Sequence, residues 1–434
     1  MNATPASLPA VSARMPVALV GAVFLASYLS WRPSIDIMFT AADALFLVAA
    51  GLLAASRRIP LQPFGALTPL WLIAFATMMT GLLIGSLLGN DPFRWFVVAA
   101  QYCFSWVVLP YLLLGHARRP THRLVVALLV GIVAMETVGI VVYFTYTGSF
   151  EEARRMLGLD FLSGGGRLGA FATDANWNGA AIAMALPFAY FLAGKGLIKA
   201  RLLIVVLGIL LCALLLTASA TAFGSVLVGI VIFAVAGAVR PRVWAMVAAI
   251  ALIGVAAESQ FGLPRVFEKR VGSALENGDI TEAGTFGGRV ALIKDAWNLV
   301  NDHMLVGVGV DQHRVVSKLR APVHNMYLLI WVEGGLLALI GWLGMIAVAV
   351  ITAFIACRDD RLAGALALSV LATFVLFSTA SPHMYARLWA TPALLAIAIA
   401  RNAAPLTGAR ATLRAARARQ VERARALAVA AKQM

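Results

Sequence analysis

Residues 258–328 read ESQFGLPRVFEKRVGSALENGDITEAGTFGGRVALIKDAWNLVNDHMLVGVGVDQHRVVSKLRAPVHNMYL, and they form the long polar stretch around which the chain is organised. Apolar runs of about twenty residues precede and follow it, each long enough to cross the ~30 Å hydrocarbon core of a bilayer as a helix. The stretch ends in His324 and Asn325, where a new apolar run begins. We expect the chemistry of this protein to take place there.

The composition points to a membrane protein. The chain has 434 residues, of which 61% are hydrophobic and only 13% are charged, too few charges to cover a soluble surface. The apolar runs are continuous rather than alternating, which excludes a transmembrane β-barrel. The sequence therefore predicts an all-α polytopic membrane protein with one large loop that contains amphipathic helices.

The apolar runs predict about twelve spans in four regions. Residues 1–258 hold the N-terminal spans and a short loop near 147–170, residues 259–324 form the large loop, residues 325–400 hold the C-terminal spans, and residues 401–434 form a basic tail. The predicted spans are 15–31, 37–55, 67–89, 94–114, 124–146, 171–193, 201–217, 221–238, 243–258, 325–356, 362–380 and 386–400.

The basic residues predict the orientation. Alternate short loops carry basic pairs such as Arg57-Arg58 and Arg118-Arg119, and this bias marks the cytoplasmic side. The loops at 147–170 and 259–324 then lie outside, and the basic tail lies against anionic lipid. The net charge of +15 is explained in this way without a nucleic-acid partner.

A first candidate stretch joins the smaller external loop to a span. Gly164-Gly165-Gly166 precedes Arg167, for which the sequence offers no structural role, and we expect it to contact a ligand. Asp174 and Asn176 follow at the start of the span. They either bind substrate or serve the fold, by capping the helix and by hydrogen bonding between helices.

A second candidate is Arg289, which follows Gly287-Gly288. Val290, Ile293, Trp297 and Val300 recur beyond it at helical spacing, which predicts an amphipathic helix on the bundle or on the membrane surface. A helix N-terminus beside an arginine suits a phosphate group. The alternative is an ordinary surface arginine.

The third candidate is His324, whose imidazole titrates near neutrality and can accept a proton from a hydroxyl. Asn325 either holds this ring or caps the next helix. His303, His313 and His324 are not spaced as metal ligands, so no metal and no cofactor are expected. Further ionisable residues fall in or near spans, and these are Asp43, Glu136, Glu333, His383 and Arg387.

Together, the entry to the span at Arg167–Asn176, the Gly-Arg of the large loop and the stretch His324-Asn325-Met326-Tyr327-Leu328 resemble the O-antigen ligase and polymerase family of bacterial inner membranes. The resemblance covers residues 160–345, and its most specific part is the His-Asn-x-Tyr-Leu stretch. The family often has a proline between the residues that match Asp174 and Asn176, whereas this chain has Ala175.

The resemblance implies a GT-C-like membrane glycosyltransferase that needs no metal and acts on the periplasmic side. Its donor is a glycan on undecaprenyl pyrophosphate, and the acceptor of a ligase is a sugar of the lipid A core. The family's essential groups match Arg167, Arg289 and His324. Arg265, Asn325, Asp174, Asn176 and Tyr327 are the further substrate-binding candidates. Direct displacement at the anomeric carbon would invert its configuration.

Two alternatives remain open beside a ligase. A polymerase uses the same donor but transfers it to another lipid-linked glycan, and a protein-glycosylating relative is disfavoured because its chain is usually longer. From another class, a secondary transporter would carry inverted repeats and broken spans around a midplane site. The sequence favours the ligase because one large external loop is strongly developed.

Overall fold

The computed structural model describes residues 15–30, 32, 37–89, 91–158, 160–163, 166–238, 286–321 and 323–403. The predicted span at 243–258, the candidate Arg265 and most of the basic tail lie outside the described residues. Two two-residue strands form a small hairpin, β1 (Leu162–Ser163) and β2 (Arg167–Leu168). The described α-helices are α1 (Val17–Phe24), α2 (Ala41–Ala55), α3 (Thr68–Leu88), α4 (Pro92–Cys103), α5 (Leu109–Leu113), α6 (Arg118–Thr145), α7 (Phe150–Leu157), α8 (Ala175–Gly194), α9 (Ala200–Thr217), α10 (Ala220–Gly237), α11 (Phe286–Asp302), α12 (His313–Val316), α13 (Met326–Asp359), α14 (Arg361–Ser378) and α15 (Arg387–Ala403).

Within the described ranges, eight helical segments are long and apolar enough to cross a membrane. They match eight of the predicted spans, so the prediction of a polytopic helical membrane protein is confirmed. Three other predicted spans contain shorter helices, α1, α2 and α15. The total of twelve spans and the external position of the large loop stay predictions.

The first predicted span, 15–31, is helical only over Val17–Phe24. The chain then leaves the helix because its backbone pairs with the segment before α8. The amides of Leu29 and Ser30 donate to the carbonyl of Phe171 at 2.7 and 3.1 Å. The hydroxyl of Tyr28 donates to the carbonyl of Gly131 in α6 at 3.0 Å. These bonds replace the helical ones that a continuous span would have made.

A break at Gly335 divides α13, the helix that matches the predicted span at 325–356. Gly335 has φ 68° and ψ −172°, a conformation that is essentially restricted to glycine. The break leaves helix carbonyls for another segment to bind. The amides of Val308 and Gly309 donate to the carbonyls of Val332 and Glu333 at 2.8 and 2.9 Å. The loop after α11 is therefore inserted into the break.

Glycines allow this insertion because three backbones meet at van der Waals distance. A Cβ on Gly335 would lie 2.2 Å from the carbonyl oxygen of Leu305, and one on Gly307 would lie 2.4 Å from that of Glu333. A Cβ on Gly85 of α3 would lie 2.4 Å from the Glu333 oxygen as well. Small residues permit such close approach between membrane helices. The packing fixes the end of α3, the break in α13 and the loop at 304–311 as one unit.

A buried ion pair fixes the start of α15. Arg387 and Asp43 are only 3% and 1% exposed, and the Nε of Arg387 is ion-paired with the Asp43 carboxylate. Arg387 also donates to the hydroxyl of Ser105 at 2.8 Å. Ser105 belongs to a π-helical turn, Phe104–Val108, that joins α4 to α5. Both ionisable residues thus connect α2, the π-helical turn and α15, which is a structural role.

Candidate active site at one end of the helix bundle

Arg167 is placed by the β-hairpin that precedes α8. Leu162 and Ser163 pair with Leu168 and Arg167, and Gly166 in the turn has φ 74°, a left-handed conformation that favours glycine. The chain then passes through a 3₁₀ turn, Ala170–Ala172, to the start of α8. This path brings the Arg167 side chain to the first turn of α8.

Arg167 makes structural contacts that the sequence did not predict, and its contact with a ligand stays a prediction. Its side chain is buried, with 8% exposure, and its Nε donates to the carbonyl of Thr217 at 2.7 Å. Thr217 ends α9, and a helix C-terminus carries partial negative charge that favours a cation. The Nη2 of Arg167 donates to the Oδ1 of Asn176 at 2.8 Å. The guanidinium is therefore held in one orientation by two helix ends.

Asp174 and Asn176 serve the fold in the way that the structural alternative predicted. Asp174 caps α8, and its Oδ1 accepts hydrogen bonds from the amides of Asn176 and Trp177 at 2.7 and 3.1 Å. The Oδ1 of Asn176 also accepts from the hydroxyl of Ser219 at 3.1 Å. Asn176 is thus the bridge between Arg167 and the start of α10.

Glu136 and Asn178 lie fully buried below the hairpin. The Nδ2 of Asn178 donates to the Oε2 of Glu136 at 3.2 Å and to the carbonyl of Leu168 at 3.3 Å. The Glu136 carboxyl therefore contributes to the contact between α6, α8 and β2. This arrangement explains an ionisable residue within α6 without a transport role.

Arg289 is placed by the packing of α11 against the first part of α13. Ala296 and Val300 are buried in a small apolar cluster with Leu328 and Val332, so the helix lies on the bundle. The predicted apolar face is only partly right, because Trp297 remains 50% exposed while its ring contacts that of Trp331. Arg289 falls in the first described turn of α11.

His324 lies half-buried just before α13, where Asn325 caps the helix by accepting from the amide of Leu328 at 3.1 Å. Burial lowers the pKa of His324 most strongly, the charge of Arg289 lowers it further, and the carboxylate of Asp174 raises it. The imidazole is therefore neutral at pH 7 and able to accept a proton. The structure thus brings Arg289, Asp174 and His324 into one electrostatic environment, although they come from three separate segments.

Tyr327 lies in the first turn of α13. Its hydroxyl donates to the carbonyl of Val375 in α14 at 3.2 Å. This bond joins α13 to α14 and gives Tyr327 a structural role. A contact between Tyr327 and substrate stays a prediction.

A charged centre next to these residues was not predicted from sequence. The carboxylate of Asp311 is ion-paired with Arg94, and it lies 3.9 Å from the Nη2 of Arg314 and 3.7 Å from the Nε2 of His383. The backbone amide of Asp311 donates to the Oε1 of Glu333 at 2.9 Å. Glu333 and His383 were noted separately as ionisable residues. The sequence signal that could have found Asp311 is the Gly307-Val-Gly309-Val run before it, because those glycines fit the break in α13.

Among the described residues, no group of three or more His, Cys, Asp or Glu side chains is arranged to hold a metal ion. The absence of a metal or cofactor from the reaction stays a prediction.

A cavity of about 30 Å³, lined by several charged residues, lies at the opposite end of the bundle. Lys195 and Asp360, which line it, form an ion pair of 2.6 Å, and Asp360 caps α14. Arg118 donates to the carbonyl of Asn402 at 3.4 Å. Because these charged groups serve helix ends, the cavity is a weaker candidate than the site around His324.

The fold and the site define a polytopic helical membrane protein with a charged site at one end of its bundle. Residues 203–343 match the family model described as O-antigen ligase. The match covers about a third of the chain and includes Arg289, His324, Asn325 and Tyr327, whereas Arg167, Asp174 and Asn176 precede it. It confirms the resemblance inferred from the sequence and supports a membrane glycosyltransferase of the ligase or polymerase type. No curated protein matches the chain.

Proposed function

We propose that this protein is an O-antigen ligase that transfers a glycan from undecaprenyl pyrophosphate to a sugar hydroxyl of the lipid A core, at the periplasmic face of the bacterial inner membrane. The observation that carries the proposal is the common electrostatic environment of Arg289, Asp174 and His324, in which burial and the charge of Arg289 lower the pKa of the imidazole. The family match over residues 203–343 supports the reaction class.

Arg289 and Arg167 have the task of binding the donor. As the bond between the anomeric carbon and the pyrophosphate oxygen breaks, negative charge develops on the leaving group. Arginine can grip two phosphate oxygens at once, and each charge-assisted hydrogen bond contributes on the order of 1.5–3 kcal/mol. The rigid placement of Arg167 between α8 and α9 means that little reorganisation is needed when the donor arrives.

His324 has the task of activating the acceptor. Its neutral imidazole takes the proton of the acceptor hydroxyl while the hydroxyl oxygen bonds to the anomeric carbon. The electron pair of the broken bond leaves with the undecaprenyl pyrophosphate, and the proton passes from His324 to solvent. Because attack and departure take place on opposite faces of the carbon, the product has inverted configuration.

The ligase and the polymerase differ only in acceptor, and one reconstitution separates them. The purified full-length protein in proteoliposomes receives a pyrophosphate-linked glycan donor with either lipid A core or additional donor as acceptor. Glycosylated lipid A core supports the ligase, whereas lengthened lipid-linked glycan supports the polymerase. Failure to consume the donor with either acceptor would refute the proposed reaction.

A further inference from the structure

The charged centre around Asp311 has no task in the reaction described so far. We call Arg94, Asp311, Arg314 and His383 the Asp311 centre. Its members come from the start of α4, the loop after α11, α12 and the loop before α15. Asp311 is the common partner, because Arg94, Arg314 and His383 all face its carboxylate.

The backbone of the Asp311 centre is strained and held in place. Asp311 and His383 have φ values of 61° and 54°, in the left-handed region that non-glycine residues seldom adopt. Such conformations persist where the surrounding structure imposes them, often at functional sites. Here the buried side chain of Glu333 accepts the amide of Asp311 and fixes it above the break in α13.

The Asp311 centre adjoins His324. Burial lowers the pKa of His383 most strongly, and Asp311 opposes this effect. The positive charges of Arg94 and Arg314 lower the pKa further, and so does the neighbouring imidazole of His324. Contacts connect the two places: the ring of His383 lies 5.5 Å from that of Tyr385, which lies 5.1 Å from that of Tyr102. The Tyr102 hydroxyl lies 3.6 Å from the sulfur of Met326, two residues after His324.

The net charge of the Asp311 centre suits hydroxyl groups better than a pyrophosphate. Asp311 cancels one of the two arginine charges, and His383 is neutral at pH 7. Guanidinium and imidazole N–H groups donate hydrogen bonds in fixed directions to oxygen atoms. An acceptor must reach His324 from a side that the pyrophosphate does not occupy, and the Asp311 centre is built from residues other than the two arginines assigned to the donor.

We propose that the Asp311 centre is the acceptor-binding side of the site and recognises the hydroxyl groups of the acceptor sugar next to His324. This inference rests on the proposed function and assigns its second substrate. Arg314, whose side chain is 54% exposed, and His383, which is 23% exposed, touch the sugar. Asp311, which is 11% exposed, is a positioning residue that holds both of them.

The test separates acceptor use from donor use in the reconstituted full-length protein. Asp311→Asn keeps the shape of the side chain but removes its charge, so Arg314 and His383 lose their common partner. We expect the KM for the acceptor to rise about tenfold or more, while the KM for the donor changes less than about twofold. Binding of the acceptor glycan in the absence of donor should weaken by a similar factor.

Two further variants keep the test decisive if Asp311→Asn folds poorly. Arg314→Gln and His383→Asn remove one sugar contact each, and asparagine tolerates the left-handed backbone at position 383. Their controls are Lys318→Gln and His303→Asn, which change an exposed basic residue and an exposed histidine in the neighbouring segments and should leave the KM values unchanged.

Two outcomes overturn the inference. One is an unchanged acceptor KM in all three variants of the Asp311 centre, and the other is an equal rise in the KM for donor and acceptor. Either result leaves the proposed function intact provided that the unmodified protein transfers the glycan. If the unmodified protein consumes no donor, the proposed function itself fails.

Discussion

Arg167 donates a hydrogen bond of 2.8 Å to Asn176, and this bond connects the β-hairpin to the first turn of α8. Asn176 accepts a second bond from Ser219 through the same oxygen, so the position of the guanidinium depends on a chain of contacts rather than on its own segment. If Arg167 binds the donor, Asn176 supports that binding indirectly.

The first prediction concerns this pair. Asn176→Ala and Arg167→Ala should each raise the KM for the donor. The loss of free energy calculated from the KM of the double variant should be smaller than the sum of the two single losses, because both changes remove the same bond. A double-mutant cycle on the donor dependence of the rate measures the coupling. Strict additivity would show that Asn176 does not act through Arg167.

The second prediction concerns pH. His324 acts as a base only when neutral, so kcat/KM should fall as the pH drops through its pKa, which burial and Arg289 hold below the ordinary value. Arg289→Gln removes a charge that lowers this pKa, so the acidic limb should move to higher pH. Asp174→Asn keeps a good helix cap but removes a charge that raises the pKa, so the limb should move to lower pH.

Arg289→Lys is the control for this shift, because it keeps the positive charge and should leave the acidic limb in place. The pH dependence of kcat/KM for the four proteins checks these directions. A limb that stays at the same pH in all of them would mean that His324 is not the titrating base.

The third prediction concerns the break in α13. Gly335→Ala adds a Cβ that would lie 2.2 Å from the Leu305 oxygen, at a φ of 68° that alanine rarely adopts. We expect a loss of about 2–4 kcal/mol of stability, the usual size for a strained backbone combined with a clash. Thermal unfolding in detergent, followed by tryptophan fluorescence, measures the change.

The matched control for this variant is Gly224→Ala in α10, where a Cβ would meet nothing within 4 Å. Alanine is favoured over glycine in a helix by roughly 0.5–1 kcal/mol, so this change should leave the unfolding temperature unchanged or slightly higher. Equal behaviour of the two variants would contradict the close packing at Gly335.

The fourth prediction concerns the ion pair of Asp43 and Arg387. Asp43→Ala leaves a buried guanidinium without its carboxylate and should lower the free energy of unfolding by about 3–5 kcal/mol. Removing both charges, in Asp43→Ala with Arg387→Met, should recover part of this loss. The exposed pair of Lys195 and Asp360 is the comparison, since Lys195→Ala should cost no more than about 1 kcal/mol. Equal losses in the buried and exposed pairs would contradict this account.

Hydropathy predicted the helical class and eight of the spans, because a continuous apolar run of sufficient length has few alternatives in a bilayer. It could not predict that α1 ends at Phe24, because the competing partner, the carbonyl of Phe171, is distant in sequence. The break at Gly335 escaped prediction for the same reason, since the amides that bind the freed carbonyls come from the loop at 304–309.

The candidate site shows the same division between local and distant contacts. Local pattern offered capping as one role for Asp174 and for Asn325, and both residues cap a helix in the structure. It missed the structural contacts of Arg167, whose partners Thr217 and Asn176 become neighbours only in the folded bundle. The sequence did not predict the Asp311 centre, because its residues form no recognisable motif and meet at the Asp311 carboxylate only in the folded chain.

The central claim is that His324 removes the proton from the acceptor hydroxyl. The most direct test compares the rate of glycan transfer from the pyrophosphate-linked donor by His324→Ala with that of the unmodified protein, under single-turnover conditions in proteoliposomes. A positioned base contributes roughly 10²–10⁴ in rate, so the account predicts a loss of this size with donor binding and folding retained. Transfer at the unmodified rate would contradict it.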